Sequence, residues 1–123
     1  MRILCIIQAR TSSTRFPGKI LAAMPDGRPM LHWVIERAKA VRNADDVIVA
    51  VPSHDFIAAE CAKEAGVAVT YGPHEKLPDG RNDVLRRYQW AAHQYGLQAS
   101  DVVVRVTADC PLIDPECSAF VIA

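Results

Sequence analysis

The chain has 123 residues, 50% of them hydrophobic, with 14 basic and 14 acidic side chains and a formal net charge of zero. That length suits one domain with a real core, and the charge balance excludes a general nucleic-acid or anionic-membrane surface, which needs a strong basic excess. The first apolar run is far too short for a membrane span or a signal sequence, so the expected location is the cytoplasm.

Residues 3–8 form a near-continuous apolar run, as parallel strands buried on both faces do. The next stretch, Ala9-Arg10-Thr11-Ser12-Ser13-Thr14-Arg15-Phe16-Pro17-Gly18-Lys19, gathers three cations, small hydroxyl residues and a Pro-Gly turn, with no acidic residue of its own. Two readings are open: a solvated connection, or a loop that wraps an anion. Its place at a strand end, where open α/β sheets bind ligands, favours the second. Arg10 and Arg15 can give forked hydrogen bonds to phosphate oxygens, Lys19 adds a compact charge, and hydroxyls and loop amides can fill the remaining acceptors. At about 1.5–3 kcal/mol for each charge-assisted bond, several together suffice for a triphosphate. Neither G-x-x-x-x-G-K-[ST] nor G-x-G-x-x-G occurs, so this is not a Walker loop or a dinucleotide fingerprint.

Pro25-Asp26-Gly27-Arg28 reads as a tight turn. A helix is expected over 29–41, with Leu31, Val34, Ile35, Ala38 and Val41 on one face and His32 and Trp33 flanking it in packing or surface roles. A strand over 46–51 stops at Pro52. Ser53 and Asp55 can cap a helix over 55–65 that ends at Gly66, and a strand follows over 67–71. After a polar loop over 72–81, a helix over 82–95 places Val84, Leu85, Tyr88, Ala91, Ala92 and Tyr95 on one face. The last strand is 102–106, and Asp114-Pro115-Glu116 opens a further helix with a capping carboxylate and a proline at its first position. Alternating strands and helices with short loops predict a parallel sheet covered on both faces through right-handed crossovers. Cys5, Cys61, Cys110 and Cys117 form no C-x-x-C pair or zinc-finger spacing; Cys5 and Cys61 read as buried thiols.

The stretch Ile7-Gln8-Ala9-Arg10-Thr11-Ser12-Ser13-Thr14-Arg15-Phe16-Pro17-Gly18-Lys19-Ile20-Leu21 resembles the opening motif of the cytidylyltransferases that make CMP-activated sugars. The likeness is greatest to the branch called spore coat polysaccharide biosynthesis protein SpsF. Pro29-Met30-Leu31 leading into Val34-Ile35-Glu36-Arg37, Asp46-Val47-Ile48-Val49-Ala50, Asp83-Val84-Leu85-Arg86-Arg87-Tyr88, and the segment from Val104 through Asp109-Cys110-Pro111 to Pro115 also look like family segments, in order. The whole chain resembles the N-terminal half of such proteins. The resemblance therefore implies one nucleotide-binding domain over 1–123, equivalent to a truncated nucleotidyltransferase domain. Its implied fold is Rossmann-like α/β, three-layered, of the nucleotide-diphospho-sugar transferase type, with sheet order 3-2-1-4.

The resemblance further implies that a sugar or sugar acid attacks the α-phosphorus of CTP, releasing pyrophosphate, in surface polysaccharide biosynthesis. It implies nucleotide contacts from Ala9, Arg10, Ser12, Ser13, Arg15 and Lys19, with Lys19 and Arg10 in catalytic roles. Asp83 would border the nucleotide or sugar, although it also makes sense as a helix cap. Asp109, which on its own reads equally as a cap or surface group, matches the family's magnesium-binding aspartate, so Mg²⁺ is the implied cofactor; Asp114 reads rather as an N-cap. A homodimer is usual in the family. Two departures stand out: Ser12 and Ala108 occupy positions where the family often has glycine. Two competing functions are a nucleotide-binding or assembly module without turnover and a nucleotide-sugar-dependent glycosyltransferase. The second ranks lower, because Asp109-Cys110-Pro111 lacks the second acid of an Asp-x-Asp motif.

Overall fold

A computed structural model describes residues 1–12, 18–72, 84–108, 111–112 and 115. The strands are β1 (Ile3–Gln8), β2 (Asp46–Val51), β3 (Ala68–Tyr71) and β4 (Val102–Thr107), and the helices are α1 (Met30–Lys39), α2 (Phe56–Glu64) and α3 (Val84–Gln94). All three pairings are parallel and the order is β3-β2-β1-β4, as the resemblance implied.

The apolar strand runs are explained by burial on two sides. Along β1 and β2, Cys5, Ile7, Val47, Val49 and Val51 enter one core with α1 and α2, while Leu4, Ile6, Ile48 and Ala50 enter a second with α3. A strand side chain changes face at every residue, so residues 4–7 and 47–51 leave no position for a polar group, and Gln8 and Asp46 stand only at strand ends. α1 buries Leu31, Val34, Ile35 and Ala38, the expected stripe. α2 buries Ala58, Ala59, Cys61 and Ala62. These small side chains let its backbone approach the sheet closely.

Observed limits differ from expectation by one or two residues: 30–39 for 29–41, 56–64 for 55–65, 68–71 for 67–71, and 102–107 for 102–106. Such shifts are usual at element ends. The expected start of the third helix at 82–83, and the helix opening at Asp114, fall outside the described residues.

The inward face of α3 departs more. Leu85, expected inside, is 57% exposed, whereas Arg87 is fully buried beside Tyr88 and Ala91. Tyr88 sets the rotation, because its hydroxyl donates to the Val106 carbonyl at 2.9 Å. Ala91 and Tyr95 lie to one side of Tyr88 on the helical wheel, and that side contains residue 87 and not residue 85. Helical periodicity alone accommodated both rotations.

Among the described residues no helix is long and apolar enough to cross a membrane. Cys5 and Cys61 are buried and free, and burial pushes both thiols up to about 11, which fits inert packing groups. His32 Nε2 donates to the Cys61 carbonyl at 2.7 Å and Trp33 Nε1 to Asp26 at 3.0 Å, so both have packing roles.

Candidate nucleotide site

The C-terminal ends of β1 and β4 lie side by side, with Gln8 opposite Thr107. Ala9 continues β1: it is buried, and its amide donates to the Ala50 carbonyl of β2 at 3.0 Å. Arg10 and Thr11 are half-buried and Ser12 is exposed. The chain returns at Gly18, whose amide donates to the Thr11 carbonyl at 2.8 Å and so closes the mouth of the loop. Gly18 has φ 70°, a left-handed conformation that suits glycine, and it starts a single 3-10 turn, Lys19–Leu21. Ile20 in that turn is buried with the α1/α2 core, which anchors the half-buried Lys19 beside it. Arg10 and Lys19 thus occupy the two stems of one closed loop.

The loop has no acidic residue of its own, but the fold brings one from elsewhere in the chain to its stem. Asp55, at the start of α2, receives the Thr11 amide on Oδ2 at 2.8 Å and the Thr11 hydroxyl at 3.0 and 3.1 Å. The same carboxylate accepts the Ala58 amide at 3.1 Å and so caps α2, as expected of it. A carboxylate offers no proton, so the Thr11 hydroxyl must donate to it. That proton is committed to Asp55, so the Thr11 hydroxyl is not free to donate to a ligand. The only sequence signal for Asp55 was its capping position, which says nothing of a partner 44 residues away.

Beneath β1 and β4, Tyr88 is buried with the Arg105 guanidinium 4.7 Å from its ring centroid. Burial raises its phenol above the ordinary value. At the ends of β2 and β3, Trp90 Nε1 donates to the Tyr71 carbonyl at 2.8 Å and the Gly72 amide to Val51 at 2.9 Å. Gly72 has φ 100°, and a Cβ there would come within 3.1 Å of Ser53 Oγ and 3.3 Å of Trp90 Nε1. This rim is closely packed, and the sequence offered no sign of it beyond the glycine.

Of the expected site residues, Ala9, Arg10, Ser12 and Lys19 lie together around the loop mouth. Ser13, Arg15, Asp83 and Asp109 lie outside the described residues, as do Cys110, Asp114 and Cys117. Among the described residues no group of three His, Cys, Asp or Glu side chains is placed to hold a metal. A carboxylate together with ligand oxygens is a donor set that suits a hard divalent ion; the expected metal ligand, Asp109, is among the residues outside the described ones.

A strand-end loop closed on itself, with cations on both stems, is the kind of site the opening motif implied, and the profile of the cytidylyltransferase family matches residues 4–122. The chain belongs to that family. It is 39% identical over 117 residues to the 3-deoxy-manno-octulosonate cytidylyltransferase of Saccharophagus degradans, an alignment covering 94% of this chain and 42% of the relative. A cytidylyltransferase structure from Leptospira borgpetersenii serovar Hardjo-bovis superposes with a TM-score of 0.83 at 35% identity, over 99% of this chain and 48% of that one. A CMP:2-keto-3-deoxy-manno-octonic acid synthetase complexed with CTP shares the fold, with a TM-score of 0.81 at 23% identity over 99% of this chain and 46% of its own. The chain thus spans less than half the length of the relatives it matches.

Proposed function

We propose that this chain binds CTP at the C-terminal end of β1 and supports transfer of its CMP unit to a sugar acid, giving a CMP-sugar and pyrophosphate. The observation that carries this reading is the loop closed by the Gly18 amide on the Thr11 carbonyl, with Arg10 and Lys19 on its two stems. In this reading Arg10, Ser12, Ser13, Arg15 and Lys19 grip the phosphates, the buried Ala9 fixes the strand end from which the loop leaves, and Asp83 borders the nucleotide or sugar. A sugar oxygen attacks the α-phosphorus in line, the bond from that phosphorus to the β-phosphate bridging oxygen breaks, and the attacking hydroxyl gives up its proton to water. Lys19 and Arg10 stabilise the charge that builds on the departing pyrophosphate, and the loop holds the reacting atoms in line. Mg²⁺, held by Asp109 and phosphate oxygens, would neutralise further charge when bound.

The S. degradans relative is named for 3-deoxy-manno-octulosonate, which makes that sugar acid the first substrate to try. The resemblance to the spore coat branch makes a different surface-polysaccharide sugar the competitor. The test is pyrophosphate release from CTP and Mg²⁺ with 3-deoxy-manno-octulosonate, beside UTP, ATP and GTP and beside other sugars. CTP-specific release that depends on the sugar supports the reading. CTP binding without release would favour a nucleotide-binding module, and liberation of a nucleoside phosphate from a nucleotide sugar, with no pyrophosphate formed, a glycosyltransferase.

A further inference from the structure

We infer that Asp55 is the positioning residue of the phosphate loop, setting both of its cationic stems from the neighbouring β2–α2 connection; this rests on the reading of the loop as the CTP site. Capping α2 needs a single acceptor for the Ala58 amide, and asparagine or serine would serve as well as aspartate. Asp55 has acceptor capacity beyond that, and it goes to Thr11, whose amide and hydroxyl both donate to it. Thr11 in turn accepts the Gly18 amide on its carbonyl, and Gly18 opens the turn that carries Lys19, while Arg10 directly precedes Thr11. One carboxylate therefore stands at the head of a hydrogen-bonded relay from the start of α2 to both stems. It touches no phosphate in this account and acts through Thr11.

Asp55→Asn separates the two roles. Asparagine can still cap α2 through its oxygen, but its NH₂ then faces the Thr11 amide, itself a donor, so that hydrogen bond is lost. Thr11→Val removes the hydroxyl half of the contact and leaves the amide and the cap, while Thr11→Ser keeps both donors. The full chain is compared by CTP titration, by thermal midpoint and, without ligand, by NMR hydrogen exchange at the Thr11 and Gly18 amides. The expected result is that Asp55→Asn and Thr11→Val weaken CTP binding by about 10- to 100-fold, as misplacement of binding groups does. Both should also lose protection at the Gly18 amide while remaining folded at the assay temperature, and Thr11→Ser should behave as the parent. Should Asp55→Asn fail to fold, Asp55→Ser, which keeps a capping oxygen but is too short to hold the Thr11 amide, carries the test. If the folded Asp55 variant keeps the parent's CTP affinity and Gly18 protection, Asp55 is only a helix cap and the proposal is overturned. If the parent itself fails to bind CTP, the CTP reading fails, and Gly18 protection in the ligand-free variants still decides whether Asp55 pins the loop.

Discussion

At the N-terminal end of β1, Asp101 receives the Arg2 amide at 2.7 Å and Asp45 the Ile3 amide at 2.6 Å; at the C-terminal end, Asp55 receives the Thr11 amide at 2.8 Å. Each acid stands one residue before the element it introduces: Asp45 before β2, Asp101 before β4 and Asp55 before α2. The first two contacts are exposed and join the starts of strands that are already paired, with the Val102 amide on the Arg2 carbonyl and the Asp45 amide on Ile3 completing the clamp. The third is partly buried and holds a segment that is in no sheet. The same chemistry therefore tidies a strand end at one edge and builds a site at the other. What differs is whether the backbone it receives has another source of order.

The comparison breaks entirely if β1 itself fails. Ile6 is fully buried in the α3 core, and Ile6→Ala should cost about 2–5 kcal/mol in urea unfolding, lowering stability and ligand binding together. A narrower break comes from Lys19→Ala, expected to slow pyrophosphate release about 10²- to 10³-fold, the effect of removing one donor to developing charge, with little change in unfolding midpoint. Tyr88→Phe sharpens the comparison from beneath the site. It leaves the Val106 carbonyl without its donor and should cost about 1–3 kcal/mol by denaturant titration.

The smallest effect belongs to the N-terminal edge. Backbone amides of Arg2 and Gln98 hold the Asp101 carboxyl below its ordinary range. A depressed carboxylate stabilises the fold above its unfolded pKa and loses that contribution as pH falls through its folded value. Asp101→Asn should therefore be slightly less stable than the parent at neutral pH, and thermal scans should show the gap closing below about pH 4. CTP binding should not follow it.

The strands were legible because burial on both faces leaves only apolar residues from Leu4 to Ile7 and from Val47 to Val51, and Pro52, Gly66 and Gly96 mark where elements stop. The cap at Asp55 and the cationic loop were legible for the same local reasons. The rotation of α3 was not, since Leu85 and Arg87 were decided by a tyrosine bonding to a strand 18 residues away. Nor was the Asp55–Thr11 contact. Whether a capping acid has capacity to spare, and which donors lie opposite it, depends on the register that brings β1 beside β2.

The most direct test of the central claim is thermal unfolding of the chain with CTP, UTP, ATP and GTP in turn, with and without Mg²⁺, alongside Lys19→Ala. CTP at 100 times its dissociation constant should add about 2.7 kcal/mol, a rise on the order of 10 °C. That rise should be selective for CTP, enhanced by Mg²⁺ and largely lost in Lys19→Ala. A folded parent whose midpoint is the same with all four nucleotides would contradict the assignment of this strand end as a CTP site.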